Sequence, residues 1–262
     1  MPPAVPPFEL LPGAGGSPVI LHVPHSARAL PDDVRAGIVL DDEALARELD
    51  HITDAHTARL AEAAAARAAV PPWRFVNRLS RLVVDPERFP DEREEMRSVG
   101  MGAVYTRTTH GAPLRPADTD PGPLVERYFR PYARAMTTAV ADRLAATGRA
   151  VIIDVHSYPS RRLPYELHGE GPRPPVCLGT DAFHTSAALL EAAREAFGET
   201  GLDSPFSGTY VPLEFHGSQP RVEALMVEIR RDTYMTEPGG PAGPGLERLA
   251  GALAGLVDAV SR

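Results

Sequence analysis

Three short apolar runs, far apart along the chain, each stop at a histidine or a glutamate. Residues 150–153 lead into Asp154, His156, Ser157 and Tyr158. Residues 19–23 lead into Pro24, His25 and Ser26, and residues 224–227 lead into Glu228, Ile229, Arg230, Arg231 and Asp232. Short β-branched runs of this kind make strands buried on both faces, as in parallel sheets covered by helices. In open α/β sheets ligands sit at the carboxyl ends of the strands, where loops and helix N-termini converge. Polar groups delivered there by three separate strands are the material of a metal or acid/base site.

Between these runs the pattern alternates. Residues 1–18 are rich in Pro and Gly and read as an irregular lead-in. A helix is expected from about 43 to 69, with Asp41 or Asp42 as its N-cap. Strands are expected at 73–76 and 82–84, then a long excursion at 89–124 of the kind that forms lids and binding loops. Further helices are expected at 125–147, closed by Gly148, at about 185–197 and at 245–260, with a strand at 176–178. The fold class is therefore α/β, with a mixed, mostly parallel sheet sandwiched by helices. At 262 residues and 43% hydrophobic content, the whole of 1–262 is expected to form one domain.

Composition narrows the chemistry. A net charge of −8 argues against a nucleic-acid partner or an anionic membrane surface and favours a small-molecule substrate. No stretch approaches the roughly 20 apolar residues that span a bilayer, and the opening residues lack the features of a signal peptide, so a cytoplasmic location is expected. Cys177 is the only cysteine, which excludes an intrachain disulfide and a multi-cysteine zinc site. It follows an apolar pair and reads as core. All 27 basic residues are arginines, so no lysine Schiff base or lysine base is available.

Any metal must therefore be held by His, Asp or Glu. Catalytic zinc commonly has two His and one carboxylate, with a fourth position left to water. His25 and His156 supply the imidazoles, and Asp54 or Asp50 the carboxylate. Helical periodicity puts Leu45, Leu49, Ile52, His56 and Leu60 on one face and both aspartates on roughly the other. Glu228 is placed to move a proton from water to a leaving amine, its competing role being a salt bridge to Arg230 or Arg231. Arg78, Arg81 and Arg88 cluster at strand ends, and arginine grips carboxylates bidentately. Arg173 and Tyr158 are further candidates for the same pocket.

The segments Val23-Pro24-His25-Ser26, Ser80-Arg81 through Glu87-Arg88, Asp154-Val155-His156-Ser157, Leu178-Gly179-Thr180, and Glu228 ahead of Thr233-Tyr234-Met235 together resemble the N-formylglutamate amidohydrolases. Two pieces, 153–158 and 228–232, also resemble the zinc carboxypeptidases, which implies a carboxypeptidase-like (phosphorylase/hydrolase-like) fold. The resemblance implies cleavage of N-formyl-L-glutamate with a divalent metal, most often zinc. It implies His25, Asp54 and His156 as metal ligands, Glu228 as base then acid, and Arg81 and Arg88 as carboxylate grips. Asp54 fits the family's aspartate better than Asp50, because Asp54-Ala55-His56 keeps that segment's pattern. Two positions depart from it. Arg28 stands where the carboxypeptidases carry a ligand Glu, and Glu87 stands where many family members have Asn beside the arginine that is Arg88. Two rival functions are a related metal-dependent deacylase or cyclic-amide hydrolase with another acyl group, and a metal-free protein that binds a small anion.

Overall fold

The run at 150–153 becomes the middle of a seven-stranded sheet among the described residues. The structure is a computed structural model describing residues 6–168 and 170–262, so the first five residues of the Pro-rich lead-in lie outside the described residues. In chain order the elements are β1 (Phe8–Leu11), β2 (Val19–Val23), α1 (Asp32–Ala36), α2 (Asp42–Ile52), α3 (Thr57–Ala65), β3 (Trp73–Asn77) and a 3-10 turn (Glu95–Val99). There follow α4 (Gly122–Leu124), a π-helical turn (Val125–Phe129), α5 (Arg130–Thr147), β4 (Ala150–Tyr158), β5 (Val176–Gly179), α6 (Ala187–Phe197) and β6 (Thr200–Leu202). β7 (Val222–Arg230), a 3-10 turn (Arg231–Thr233) and α7 (Gly245–Val260) complete the fold. The strand order is β1-β3-β2-β4-β7-β5-β6. β3, β2, β4 and β7 are mutually parallel, β5 and β6 are parallel, and the β1–β3 and β5–β7 pairs are antiparallel. The sheet is thus mixed and mostly parallel.

All nine residues of β4 are buried, and their alternation assigns the two cores. Val151, Ile153 and Val155 join Leu21, Val23, Leu225 and Val227 beneath α3, α6 and α7. Ala150 and Ile152 join Ile20, Phe75 and Ala224 beneath Tyr132, Met136 and Val140 of α5. Each fully buried Val or Ile contributes about 1.5–3 kcal/mol. Asp154 and His156 continue this second face toward the carboxyl edge. At the end of β5, a Cβ on Gly179 would stand 2.3 Å from the Gly208 carbonyl oxygen. A bare backbone there lets the 206–210 segment close against the sheet. No helix of the described residues is long and apolar enough to cross a membrane.

Several sequence expectations are corrected. The helix expected over 43–69 is two helices, α2 and α3, with His56 between them at φ 68°. The Asp54 N–H leaves the helical ladder and donates to the His25 carbonyl at 3.0 Å, while the Thr57 hydroxyl donates to the Asp54 carbonyl. A tertiary bond thus outbids a helical one. Residues 82–84 are a buried turn, not a strand, because the Ser80 hydroxyl and carbonyl capture the N–H groups of Leu82 and Val83. The lead-in contains β1, an edge strand on β3. The helix expected over 125–147 opens with a π turn, where Pro131 has no N–H to donate.

One buried carboxylate away from the cluster of imidazoles tests this packing. Glu48 of α2 is buried and accepts from the Thr109 N–H and hydroxyl, both at 2.8 Å. Burial pushes its pKa up to about 7, against those two hydrogen bonds. A folded-state pKa above the unfolded value means that the carboxyl stabilises the fold fully below about pH 4.5 and loses that contribution as pH rises through about 7. Glu48→Gln keeps an acceptor and a donor facing Thr109 without the charge. Urea denaturation across pH should show the variant equal to or below wild type at pH 4.5 and about 1–3 kcal/mol above it at pH 8; parallel curves at every pH would refute this account.

Candidate active site

After β2 ends at Val23, Pro24 turns the chain and the Pro24 carbonyl accepts from Asn77 Nδ2. This presents His25 to the end of β4. His25 Nδ1 lies 3.2 Å from His156 Nδ1 and 3.7 Å from Asp54 Oδ2, and His156 Nδ1 lies 3.1 Å from Asp54 Oδ2. The helix break between α2 and α3 is what brings Asp54 here. His25 Nε2 lies 2.9 Å from Asp85 Oδ1. A carboxylate only accepts, so Nε2 carries the hydrogen and Nδ1 keeps a lone pair. Glu228 stands on β7 directly across from His156. Its Oε2 is buried and has no hydrogen-bond partner among the described residues. His25, Asp54, His156 and Glu228 line a cavity of about 420 Å³ together with Arg81, Arg88, Arg93, Tyr158 and Tyr165.

The electrostatics favour a positive charge among the imidazoles. Burial by itself would raise Asp54, but its contacts with His156 and His25 outweigh burial and hold the carboxyl far below the usual range. Burial would lower His156, yet Asp154 and Glu87 hold its pKa well above the ordinary value. Burial pushes Glu228 up to about 7, with Asp54 adding to the rise and His156 opposing it. A carboxyl tuned near neutrality is suited to both taking and returning a proton.

The cavity does not gather every expected residue. Asp50 bonds Arg28 at 2.6 Å in a half-exposed pair, away from the two imidazoles. Arg78 pairs with Glu9 on the edge strand, because its backbone N–H is tied to Pro7 and carries it to that side of the sheet. Arg173 is spent on Glu166 and the Pro159 carbonyl and stacks on the Tyr158 ring. Tyr158 lines the cavity, but its hydroxyl donates to the Pro174 carbonyl. Arg81 lines it too, with Nε and Nη2 committed to Asp85 and Tyr105. Arg88 lines it with a buried Nε that makes no hydrogen bond among the described residues, and it stands 3.5 Å from Asp85 Oδ2 and 3.7 Å from Glu94 Oε1 in looser ion pairs. The salt bridge considered for Glu228 is absent among the described residues, since Arg230 pairs with Asp232 and Arg231 with Asp54.

Sequence reasoning assigned no role to Asp85 or His22, and weighed Arg231 only as a salt-bridge partner of Glu228. Arg231 makes four hydrogen bonds, donating to Asp54, to the Ser157 hydroxyl and carbonyl, and to the His51 carbonyl. Its only signal in the sequence is a charged residue directly after an apolar strand. Asp85 sits four residues after Arg81, and His22 interrupts an apolar run. Glu87 is turned inward, with Oε2 3.1 Å from His156 Nε2, so its charge is directed at the imidazoles.

The family model described as N-formylglutamate amidohydrolase matches residues 17–235. The N-formylglutamate deformylase of Pseudomonas aeruginosa is 28% identical over 236 residues, covering 85% of this chain and 84% of that protein. The N-formylglutamate deformylase of Pseudomonas putida matches to the same extent, 28% over 236 residues. The crystal structure of N-formylglutamate amidohydrolase from Ralstonia eutropha JMP134 superposes with a TM-score of 0.81 at 23% identity, covering 98% of each chain. At that identity the structural likeness speaks to the fold.

The Asp54–Arg231 pair makes a prediction about stability. Removing one partner of a buried ion pair strands the other charge, which costs about 3–5 kcal/mol. Arg231→Met should lose that much in chemical denaturation, whereas Arg230→Met, whose pair with Asp232 is partly exposed, should stay within about 1 kcal/mol of wild type. Equal losses for the two variants would contradict the assignment.

Proposed function

The chain belongs to the N-formylglutamate amidohydrolase family, and from that premise we propose that it hydrolyses the amide bond of N-formyl-L-glutamate, or of a closely similar N-formyl amino acid, to formate and the free amino acid. The observation that carries the proposal is the triangle of His25 Nδ1, His156 Nδ1 and Asp54 Oδ2, with sides of 3.1, 3.2 and 3.7 Å. Donors about 2.0–2.1 Å from a tetrahedral zinc ion stand about 3.3 Å apart, so the three atoms have the spacing of three corners. Two imidazoles and a carboxylate with an open fourth position match catalytic zinc sites. The Asp85 carboxylate behind His25 fits as well, because it holds the tautomer that leaves Nδ1 free to ligate.

A divalent cation held there supplies Lewis-acid polarisation of an amide carbonyl and makes water acidic enough to act as a nucleophile near neutral pH. The side chains do the rest. Glu228 takes a proton from the attacking water and delivers it to the amine nitrogen as the carbon–nitrogen bond breaks. Its unpartnered Oε2 and its pKa near 7 suit that exchange. Arg88, less committed than Arg81, receives a substrate carboxylate. Arg81 anchors Asp85 and adds positive charge to that wall.

Two measurements test this reading. Dialysis against a chelator should abolish formate release, and about one equivalent of zinc should restore it; full turnover by metal-free protein would overturn the metal assignment. Glu228→Gln should lower kcat by about 10²–10⁴-fold while zinc content and substrate affinity stay near wild type. An unchanged kcat would remove Glu228 from the mechanism.

A further inference from the structure

Beneath the three candidate ligands lies a layer of buried polar groups that the proposed reaction leaves without a task. Asp154 Oδ1 stands 2.9 Å from His22 Nδ1 and 3.0 Å from His156 Nε2. Asp154 Oδ2 accepts from the Tyr210 N–H at 3.2 Å. His22 Nε2 lies 2.6 Å from the Tyr132 hydroxyl on α5. His22 is wholly buried and does not line the cavity. A carboxylate only accepts, so His22 Nδ1 carries its hydrogen and Nε2 accepts from the Tyr132 hydroxyl. A chain of contacts therefore runs from the helix through His22 and Asp154 to His156.

His156 Nε2 is the end of that chain. It is buried, at hydrogen-bond distance from Asp154 Oδ1 and from Glu87 Oε2 at 3.1 Å, and aligned with neither. With a cation on Nδ1, Asp54 Oδ2 at 3.1 Å becomes a fellow ligand of that atom, and the two carboxylates flanking Nε2 are the acceptors left for the ring hydrogen. An imidazole that carries its hydrogen on Nε2 offers a lone pair at Nδ1, the atom in the ligand triangle. Resting on the metal reading above, we propose that His22 is a positioning residue: by holding Asp154 in place it keeps the hydrogen of His156 on Nε2 and leaves Nδ1 free to bind the cation. Tyr132 anchors His22 from the far side. His22, Glu87 and Asp154 also have donor atoms spaced as a second cation site would have them. Both nitrogens of His22 are already engaged, which favours the positioning role.

The test compares His22→Leu with His22→Asn in the full chain. Leucine fills the apolar volume better, whereas asparagine restores an N–H facing Asp154. Zinc affinity is read by competition with a chromophoric chelator, and the absorption spectrum of the cobalt-substituted protein reports the ligand field. His22→Leu should bind zinc about 10–100-fold more weakly and shift the cobalt bands, while His22→Asn should recover to within about threefold of wild type despite a lower Tm. Tyr132→Phe, which removes only the distal hydroxyl, should weaken zinc in the same direction by a smaller factor and serves if both His22 variants fail to fold. Affinities that follow Tm, with Leu at or above Asn, would make His22 a packing residue and overturn the proposal, as would an unchanged Tyr132→Phe protein. Two equivalents of zinc in wild type and one in the His22 variants would overturn it in favour of a second site. A wild type that takes up no divalent cation would instead overturn the metal reading on which the proposal rests.

Discussion

The parallel pairing of β4 with β2 on one side and β7 on the other sets everything else in place. It puts Asp154 opposite His22 and His156 opposite Glu228. Strand residues alternate between faces, so a slip of one residue would send Asp154 and His156 into the apolar core under α3, α6 and α7. Burying two unpaired polar groups there costs several kcal/mol, and the apolar residues that replaced them would lose their own burial. The register is therefore enforced by the same residues that build the two cores. Chemistry at the strand ends follows from packing along the strand bodies.

That placement carries an electrostatic burden, which the structure distributes among specific partners. Asp54 is met by Arg231, and Asp85 by Arg81 and His25. For Asp154 and Glu87 the neighbouring partners are the imidazoles of His22 and His156. Buried carboxylates arranged around neutral imidazoles favour any cation that enters, whether a proton or a metal ion. Glu228 faces them with a buried Oε2 that makes no hydrogen bond among the described residues. Its cost to the fold is the same property that makes its proton exchangeable near neutral pH.

Much of the framework was legible from pattern. The runs at 19–23 and 150–153 are strands, 245–260 is a helix from end to end, and Gly148 closes α5 with φ 80°. A continuous apolar run reports a strand buried on both faces and a 3.6 period a helix buried on one, which is why these elements could be read. Residues 82–84 show the limit: an apolar triplet signals burial, but the Ser80 side chain and carbonyl decide that the backbone turns. Asp54 shows it again. Periodicity put it on the far side of one long helix, and the resemblance put it at the site. The break at residues 53–56 reconciles them, because the His25 carbonyl takes the Asp54 N–H out of the ladder. Arg78 and Arg173 had the right chemistry for a carboxylate pocket, and their ion pairs with Glu9 and Glu166 hold them elsewhere.

The sequence by itself determined the α/β class, the burial of the central strands and the residue types available to a site without lysine or paired cysteines, because local periodicity and composition act along the chain. It also carried His25, His156 and Glu228 at the ends of three runs. Only the tertiary structure decided that Asp54 rather than Asp50 approaches the imidazoles, that Arg231 holds it, and that His22 and Asp154 stand behind His156. Those outcomes depend on contacts such as Asp54–His156, Asp54–Arg231 and His22–Asp154, each between residues more than a hundred positions apart, and on which partner completes each buried polar group first. Spacing along the chain carries no record of that competition.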